Sequence, residues 1–281
     1  MPGEHGPTGP VTNLSGLTFT AGGKTLPWRR DAVDMYAFHL DVPQGASALD
    51  VNLEFLAPSF SGGFTSGSST TSHLAVLSWN WVLLYLRVTN IDDLMFTASL
   101  RLPPGWKFGT GLTADQRSAG EVRFRAASLA TLVDSPVLAG EHFRAIPLST
   151  ATPPAELDIA ADGPAALAAS QQFTDAMRKL VDEAKALFGA EHYDHYTFLC
   201  TLSDRVAHFG LEHHQSSDTR VAASPPPATT HHSAESSAAA GGSVTTRRGA
   251  SESRIWKWCA SGSTWAIRSA CGSVPRASSP T

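Results

Sequence analysis

Residues 171–204, QQFTDAMRKLVDEAKALFGAEHYDHYTFLCTLSD, decide the fold class. Apolar residues at Phe173, Met177, Leu180, Val181, Ala184, Leu187 and Phe188 recur with helical spacing and trace one stripe. Ser170 stands where an N-cap accepts an orphan amide, and Gly189 where a left-handed residue stops the helix. The spacing predicts a helix over 171–188 packed through that stripe. YTFLCTLSD at 196–204 then reads as a buried strand, with Cys200 as a core thiol. A helix feeding a buried strand marks the opening of a mixed α/β or α+β unit.

Upstream the pattern is different. LTFTAGGKTLPW at 17–28 holds two short runs around Gly22-Gly23, a hairpin signal. VNLEFL alternates, with Val51, Leu53 and Phe55 on one face. HLAVLSWNWVLLYLRV, LMFTASLRLP and EVRFRAASLATLV add β-rich runs, separated by Gly-, Ser- and Pro-rich loops such as SFSGGFTSGSSTTS at 59–72. Short strands at this spacing predict a β-sandwich-like domain over residues 1–150. The class is therefore α+β, with a second unit over 151–221.

Beyond Val221 the composition shifts again. From Ala222 onward Ser, Ala, Gly, Thr and Pro dominate, and no helical or strand period is sustained. Six basic residues (Arg247, Arg248, Arg254, Lys257, Arg268, Arg276) face two acidic ones (Glu235, Glu252). Such a stretch buries too little apolar surface to offset its chain entropy, so residues 222–281 are expected to be a disordered tail.

Whole-chain sums exclude several classes. A net charge of -4 over 281 residues carries no nucleic-acid footprint. The apolar runs are too short to span a membrane as helices. MPGEHGPTGPV has neither the basic nor the apolar region of a signal peptide. Cys200, Cys259 and Cys271 are too few for a disulfide framework, which weakly favours a reducing, cytoplasmic compartment.

Eleven histidines make metal chemistry the first test. A zincin needs His-Glu-x-x-His so that both imidazoles leave one helix face and Glu activates the water. No His-Glu dipeptide occurs; Glu4-His5, Glu141-His142, Glu191-His192 and Glu212-His213 all run the other way. HFGLEH comes close to the inverted motif, but its extra residue turns a ligand by roughly 100° around a helix. His192, His195, His208, His213 and His214 cluster in sequence without a ligand spacing. No nucleophile elbow, phosphate loop or dinucleotide fingerprint is found.

HYTFLCTLSDRVAHFGLEHHQSSDTRV resembles the segment HY-x-FL-x-x-LSD-x-x-x-x-x-GLEH-x-x-S of the PDZ-linked glycyl aminopeptidase family of zinc metallopeptidases. PGEHGPTGPV, LRLPPGWKFGTGL and SLATLVDSPVLAGEHF, with its Asp-Ser-Pro-x-x-x-Gly, are similar to that family's β-domain. The resemblance covers roughly 1–221. It implies an N-terminal β-domain followed by a thermolysin-like catalytic domain, incomplete here. It also implies zinc as the family's cofactor and peptides as its substrates. Glu212 and Gly210 in GLEH become the substrate-binding residues: Glu212 would hold the α-ammonium, and Gly210 would let substrate backbone approach the strand.

The family's HExxH should follow GLEH, but the chain reads SPPPATTHHSAESSAAAGG there, and the PDZ domain has no counterpart. The expectation is thus a truncated, frameshifted member lacking its true start. It has no catalytic or metal-ligating residues, binds no zinc tightly and shows no peptidase activity. The alternative is a non-catalytic peptide- or protein-binding β-module. Oligomeric state is left open by the sequence.

Overall fold

The computed structural model describes residues 11–57, 69–86, 90, 93–118, 120–206 and 209–223, with 258–260 and 265–267. The protein is mostly β-sheet with few helices. Its first half holds β1 (Leu14–Ala21), β2 (Lys24–Leu26), β3 (Trp28–Arg30), β4 (Phe38–Leu40), β5 (Asp50–Phe55), β6 (Ser69–Thr70) and β7 (Leu74–Leu77). There follow β8 (Met95–Phe96), β9 (Ser99–Arg101), β10 (Lys107–Thr110), β11 (Ala114–Ser118), β12 (Glu121–Phe124), β13 (Ala127–Ser128) and the short helix α1 (Leu129–Val133). The second half runs through β14 (Val137–Gly140), β15 (His142–Ser149), β16 (Ala155–Ala161), helix α2 (Gln171–Phe188), β17 (Tyr196–Leu202), β18 (Phe209–Glu212) and β19 (Ser216–Val221). The tail expected from Ala222 onward lies outside the described residues, apart from its first two residues and the paired strands β20 (Trp258–Ala260) and β21 (Trp265–Ile267).

Local sequence accounts for much of this. β1 and β2 form the predicted hairpin, and β5 buries Val51, Leu53 and Phe55 while Asp50 and Asn52 stay exposed. Two β-rich runs end differently from the expectation. In HLAVLSWNWVLLYLRV the strand stops at Leu77, and Trp79–Trp81 turn as a 3-10 helix. In EVRFRAASLATLV the last five residues are α1, because Ser128 Oγ caps Thr131 N–H and captures the chain before a strand can continue.

Small sheets in the first half enclose a core around Leu53, Trp79, Leu100, Phe124 and Leu132. The four-stranded sheet β10-β14-β7-β6 then stacks on the five-stranded sheet β15-β16-β17-β19-β18. Leu74, Val76 and Leu138 from the first meet Ala160, Leu199 and Val206 on the side of the second. The sheets come close where β10 crosses β16. An added Cβ at Gly109 would lie 2.1 Å from Asp158 Oδ2, so only glycine fits there.

α2 covers the opposite face of the five-stranded sheet, over Ile146, Leu148, Leu157 and Ile159. It links β16 to β17, which run parallel, as a crossover helix should. Ser170 Oγ accepts from Phe173 N–H, and Gly189 closes the helix at φ 64°. The buried face, however, is narrower than the predicted stripe. Thr174 and Val181 are buried and Met177 packs beside them, whereas Phe173, Leu180 and Leu187 are exposed. The helix touches the flat sheet along one line, and residues a third of a turn away from that line miss it.

Candidate functional site

β18 is the outer strand of the five-stranded sheet, antiparallel to β19. Glu212 pairs with Ser217, which pairs in turn with Phe198 of β17. Residues facing each other in a ladder share a side of the sheet, so Glu212 lies on the side that α2 covers. It is exposed and makes no ion pair among the described residues. Gly210, also exposed, has nothing within 4 Å of where a Cβ would stand.

The turn after Glu212 is held from three directions. His213 N–H donates to Ser216 O at 2.8 Å, closing the turn itself. Asp134, the residue that ends α1, accepts from His213 Nδ1 at 2.9 Å and from His214 N–H at 2.9 Å. Gln215 Oε1 accepts from the amides of Asp194 and His195 on the loop before β17. His214 Nε2 donates to His192 O at 2.8 Å.

Asp134 is itself fixed from the first half of the molecule. The buried Trp79 indole N–H donates to Ser135 O at 2.7 Å, anchoring the Asp-Ser-Pro turn to the core. Burial pushes the Asp134 carboxyl up, but the hydrogen bonds from His213 and His214 outweigh it and hold it below its ordinary value. The carboxylate is therefore the stable form, and charge-assisted bonds to it are the stronger kind.

Beside Glu212 runs an aromatic wall. Ring centroids are 5.4 Å apart for His214 and His192, 5.5 Å for His192 and Tyr193, 5.1 Å for Tyr193 and Tyr196, and 4.9 Å for Tyr196 and Phe198. Burial pushes the Tyr196 hydroxyl up, its hydrogen bond with Ser217 opposes this, and the negative charges of Glu212 and Asp134 add to the rise. Among the described residues this carboxylate has no cationic partner and its strand no outer neighbour; a carboxylate so placed, next to π-faces, suits a cation carried on an extended backbone.

Of the residues singled out in the sequence, the structure brings Glu212, His213, His214, His192 and His195 into one corner. His208 lies outside the described residues. The ring contacts of His213 with Asp134 and of His214 with the His192 carbonyl are structural, so the described residues of this corner present no set of three ligands. Cys200 is a partly buried thiol, and burial with the nearby Asp218 pushes it up to about 11, far from a nucleophile's range. Among the described residues, three groups with ligand geometry occur elsewhere: His73, Glu141 and His142. Nothing in the sequence singles out His73, because its approach to Glu141 comes from the β7–β14 ladder and leaves no local spacing.

Residues 1–141 match the family model described as the peptidase M61 N-terminal domain. No curated protein matches. Among solved structures, the chain is similar to an aminopeptidase N family protein from Idiomarina loihiensis, with TM-score 0.56 and 19% identity over 75% of this chain and 34% of that one. It is also similar to an M1 zinc metallopeptidase from Deinococcus radiodurans, with TM-score 0.41 and 13% identity over 74% of this chain and 50% of that one. Legionella pneumophila aminopeptidase A, solved in complex with aspartic acid, gives TM-score 0.45 and 9% identity over 74% and 25%. The first of these likenesses is one of fold, and the chain spans about a third of that protein's length.

Proposed function

Because the chain belongs to the peptidase M61 N-terminal-domain family, we propose that it is the substrate-holding part of a metalloaminopeptidase, the β-domain with the opening of the thermolysin-like unit. It binds the free N-terminus of a peptide and does not cleave it unaided. Membership of the PDZ-linked glycyl branch is the finer reading, supported by GLEH at 210–213 and the Asp-Ser-Pro turn at 134–136.

One observation carries the binding role: Glu212 sits on β18, beside Tyr196, with neither an outer strand nor a cationic partner among the described residues. An extended peptide can add to that edge through main-chain hydrogen bonds. Gly210 brings no side chain to that strand, and among the described residues nothing lies within 4 Å of where its Cβ would stand. The Glu212 carboxylate then pairs with the α-ammonium and fixes where the chain starts.

A catalytic zinc does not fit the described residues around Glu212. HExxH is absent from all 281 residues, and the histidines next to Glu212 hold a turn. Hydrolysis needs three ligands, an open water position and a carboxylate base, and the described residues of this corner form no group of three ligands.

The experiment is calorimetric titration with alanyl and glycyl peptides, free and N-acetylated. Free peptides should bind, acetylated ones should not, and Glu212→Gln should weaken binding about tenfold, equivalent to about 1.4 kcal/mol. Equal binding of acetylated peptide would overturn the role of Glu212. Chelator-sensitive turnover of alanyl amides, lost in Glu212→Ala, would overturn the non-cleaving reading.

A further inference from the structure

We propose that His73, Glu141 and His142 form a divalent transition-metal site that clips the four-stranded sheet to the first strand of the five-stranded one. The ligand atoms of the three residues all lie within 4.8 Å of one another. His73 Nδ1 stands 3.0 Å from Glu141 Oε2, and the His73 and His142 rings stack at 5.5 Å and 26°. Tetrahedral zinc with bonds of about 2.0–2.1 Å sets its ligand atoms roughly 3.3 Å apart, within the span these groups already cover. Two imidazoles and a carboxylate are a borderline donor set, chosen by zinc, nickel and copper over magnesium or calcium.

The site is built by backbone, not by side-chain chance. β7 and β14 pair up to Leu74 and Gly140, and Glu141 N–H continues the ladder by donating to His73 O at 2.9 Å. Gly140 eases this approach: a Cβ there would come 3.1 Å from His73 O and 3.3 Å from Ala160 Cβ, closer than ordinary van der Waals contact. His142 then opens β15, opposite Ala161. The loop that carries His73 is tied down as well. Thr71 Oγ1 accepts from the amides of His73 and Leu74 and donates to Asp162 Oδ1 at 2.7 Å. Asp162 also accepts from Ser203, so both sheets hold this loop in place.

His73 and Glu141 are about half exposed. An ion can therefore enter without rearrangement, and water can complete its coordination. Binding replaces the His73–Glu141 hydrogen bond by two metal bonds, so no buried group is orphaned. The site lies at the far end of β16 from the Glu212 corner, and it is independent of peptide binding. Its consequence is structural: an ion held by the loop before β7, the β14–β15 turn and β15 stabilises the folded chain by mass action.

The test uses the full chain and zinc ion alone, with magnesium as the control. Calorimetry should show saturable zinc uptake, and thermal unfolding should move up in zinc but not in magnesium. Glu141→Gln keeps shape and should weaken binding at least about tenfold, as should His73→Gln and His142→Gln. His214→Ala should leave zinc affinity unchanged, which separates this site from the other histidines. Zinc should also shift the imidazole NMR resonances of His73 and His142 in the unaltered protein, a readout that survives any folding defect in the variants. Uptake unchanged in Glu141→Gln, or zinc that leaves those two rings unshifted, would overturn the proposal.

Discussion

Asp134→Ala should loosen the turn that carries Glu212, and the size of the effect follows from what the carboxylate holds. It accepts two hydrogen bonds of 2.9 Å, from the His213 ring and the His214 amide. The His213 side chain is 5% exposed and Asp134 28%, so water replaces the ring bond poorly. A hydrogen bond to a charged group contributes ~1.5–3 kcal/mol, and the more exposed amide bond contributes less, giving a cost of about 2–4 kcal/mol. Asp134→Asn keeps one acceptor and should cost about half of that. In a double-mutant cycle with His213→Ala, the coupling should be ~1–2 kcal/mol. The pH dependence has a definite sign. The carboxyl is held below 3.8, so its contribution is fully present above that pH and is lost as pH falls through the lowered value. The gap between the native chain and Asp134→Asn should therefore be widest at neutral pH and close in acid. Urea unfolding followed by tryptophan fluorescence measures all of these. A coupling below ~0.5 kcal/mol, with both single variants destabilised, would show that Asp134 and His213 stabilise the fold by separate routes.

Three further outcomes are expected. Val181→Ala should cost about 2–4 kcal/mol in unfolding free energy while Leu180→Ala costs under ~1, because of the two only Val181 is buried against the sheet; equal losses would show that α2 docks through another face. Gly109→Ala should destabilise by ~1–3 kcal/mol through the clash with Asp158, and the loss should shrink in the Gly109→Ala, Asp158→Ala pair. Burial, helped by neighbouring Glu156, pushes Asp158 up to about 8, so its folded form keeps a proton that the unfolded chain releases above 3.8. Stability should fall between those two pH values, by at most ~1.4 kcal/mol per pH unit from this group, and Asp158→Asn should flatten that slope in pH-resolved urea titrations.

The elements legible in the sequence are those set by neighbours along the chain. Ser170 and Gly189 bound α2 because caps act over one turn, and the alternation of β5 sorts its own faces. The buried side of α2 is not legible. Phe173, Leu180 and Leu187 look as apolar as Val181, and only the position of the sheet decides among them. α1 reads as strand because Leu129 to Val133 are β-compatible, and the Ser128 cap outweighs that preference. The candidate site divides along the same line. Glu212 and Gly210 can be named from a four-residue motif. The partners that position them, Asp134 and Trp79, are 79 and 56 residues from their contacts at His213 and Ser135 and share no local pattern with them. His73 and Glu141, 68 residues apart, are invisible in the sequence for the same reason.

Two of the segments that carry the family resemblance, LVDSPV and GLEHHQ, prove to be halves of one contact. Trp79 fixes Ser135, Asp134 precedes Ser135, and Asp134 fixes His213 and His214. Glu212 is the residue before that anchored pair, so its direction is set by the β-domain as much as by its own strand. An outermost strand with one free side has little else to hold its end: β19 fixes its register and nothing pairs beyond it among the described residues. The β-domain therefore does more than accompany the second sheet. It supplies the clamp that holds the end of the outermost strand, where the site proposed for a charged N-terminus lies. Cutting the clamp at Asp134 should accordingly weaken peptide binding at Glu212 without touching Glu212 itself, and an affinity unmoved by Asp134→Asn would show that β18 holds its own end.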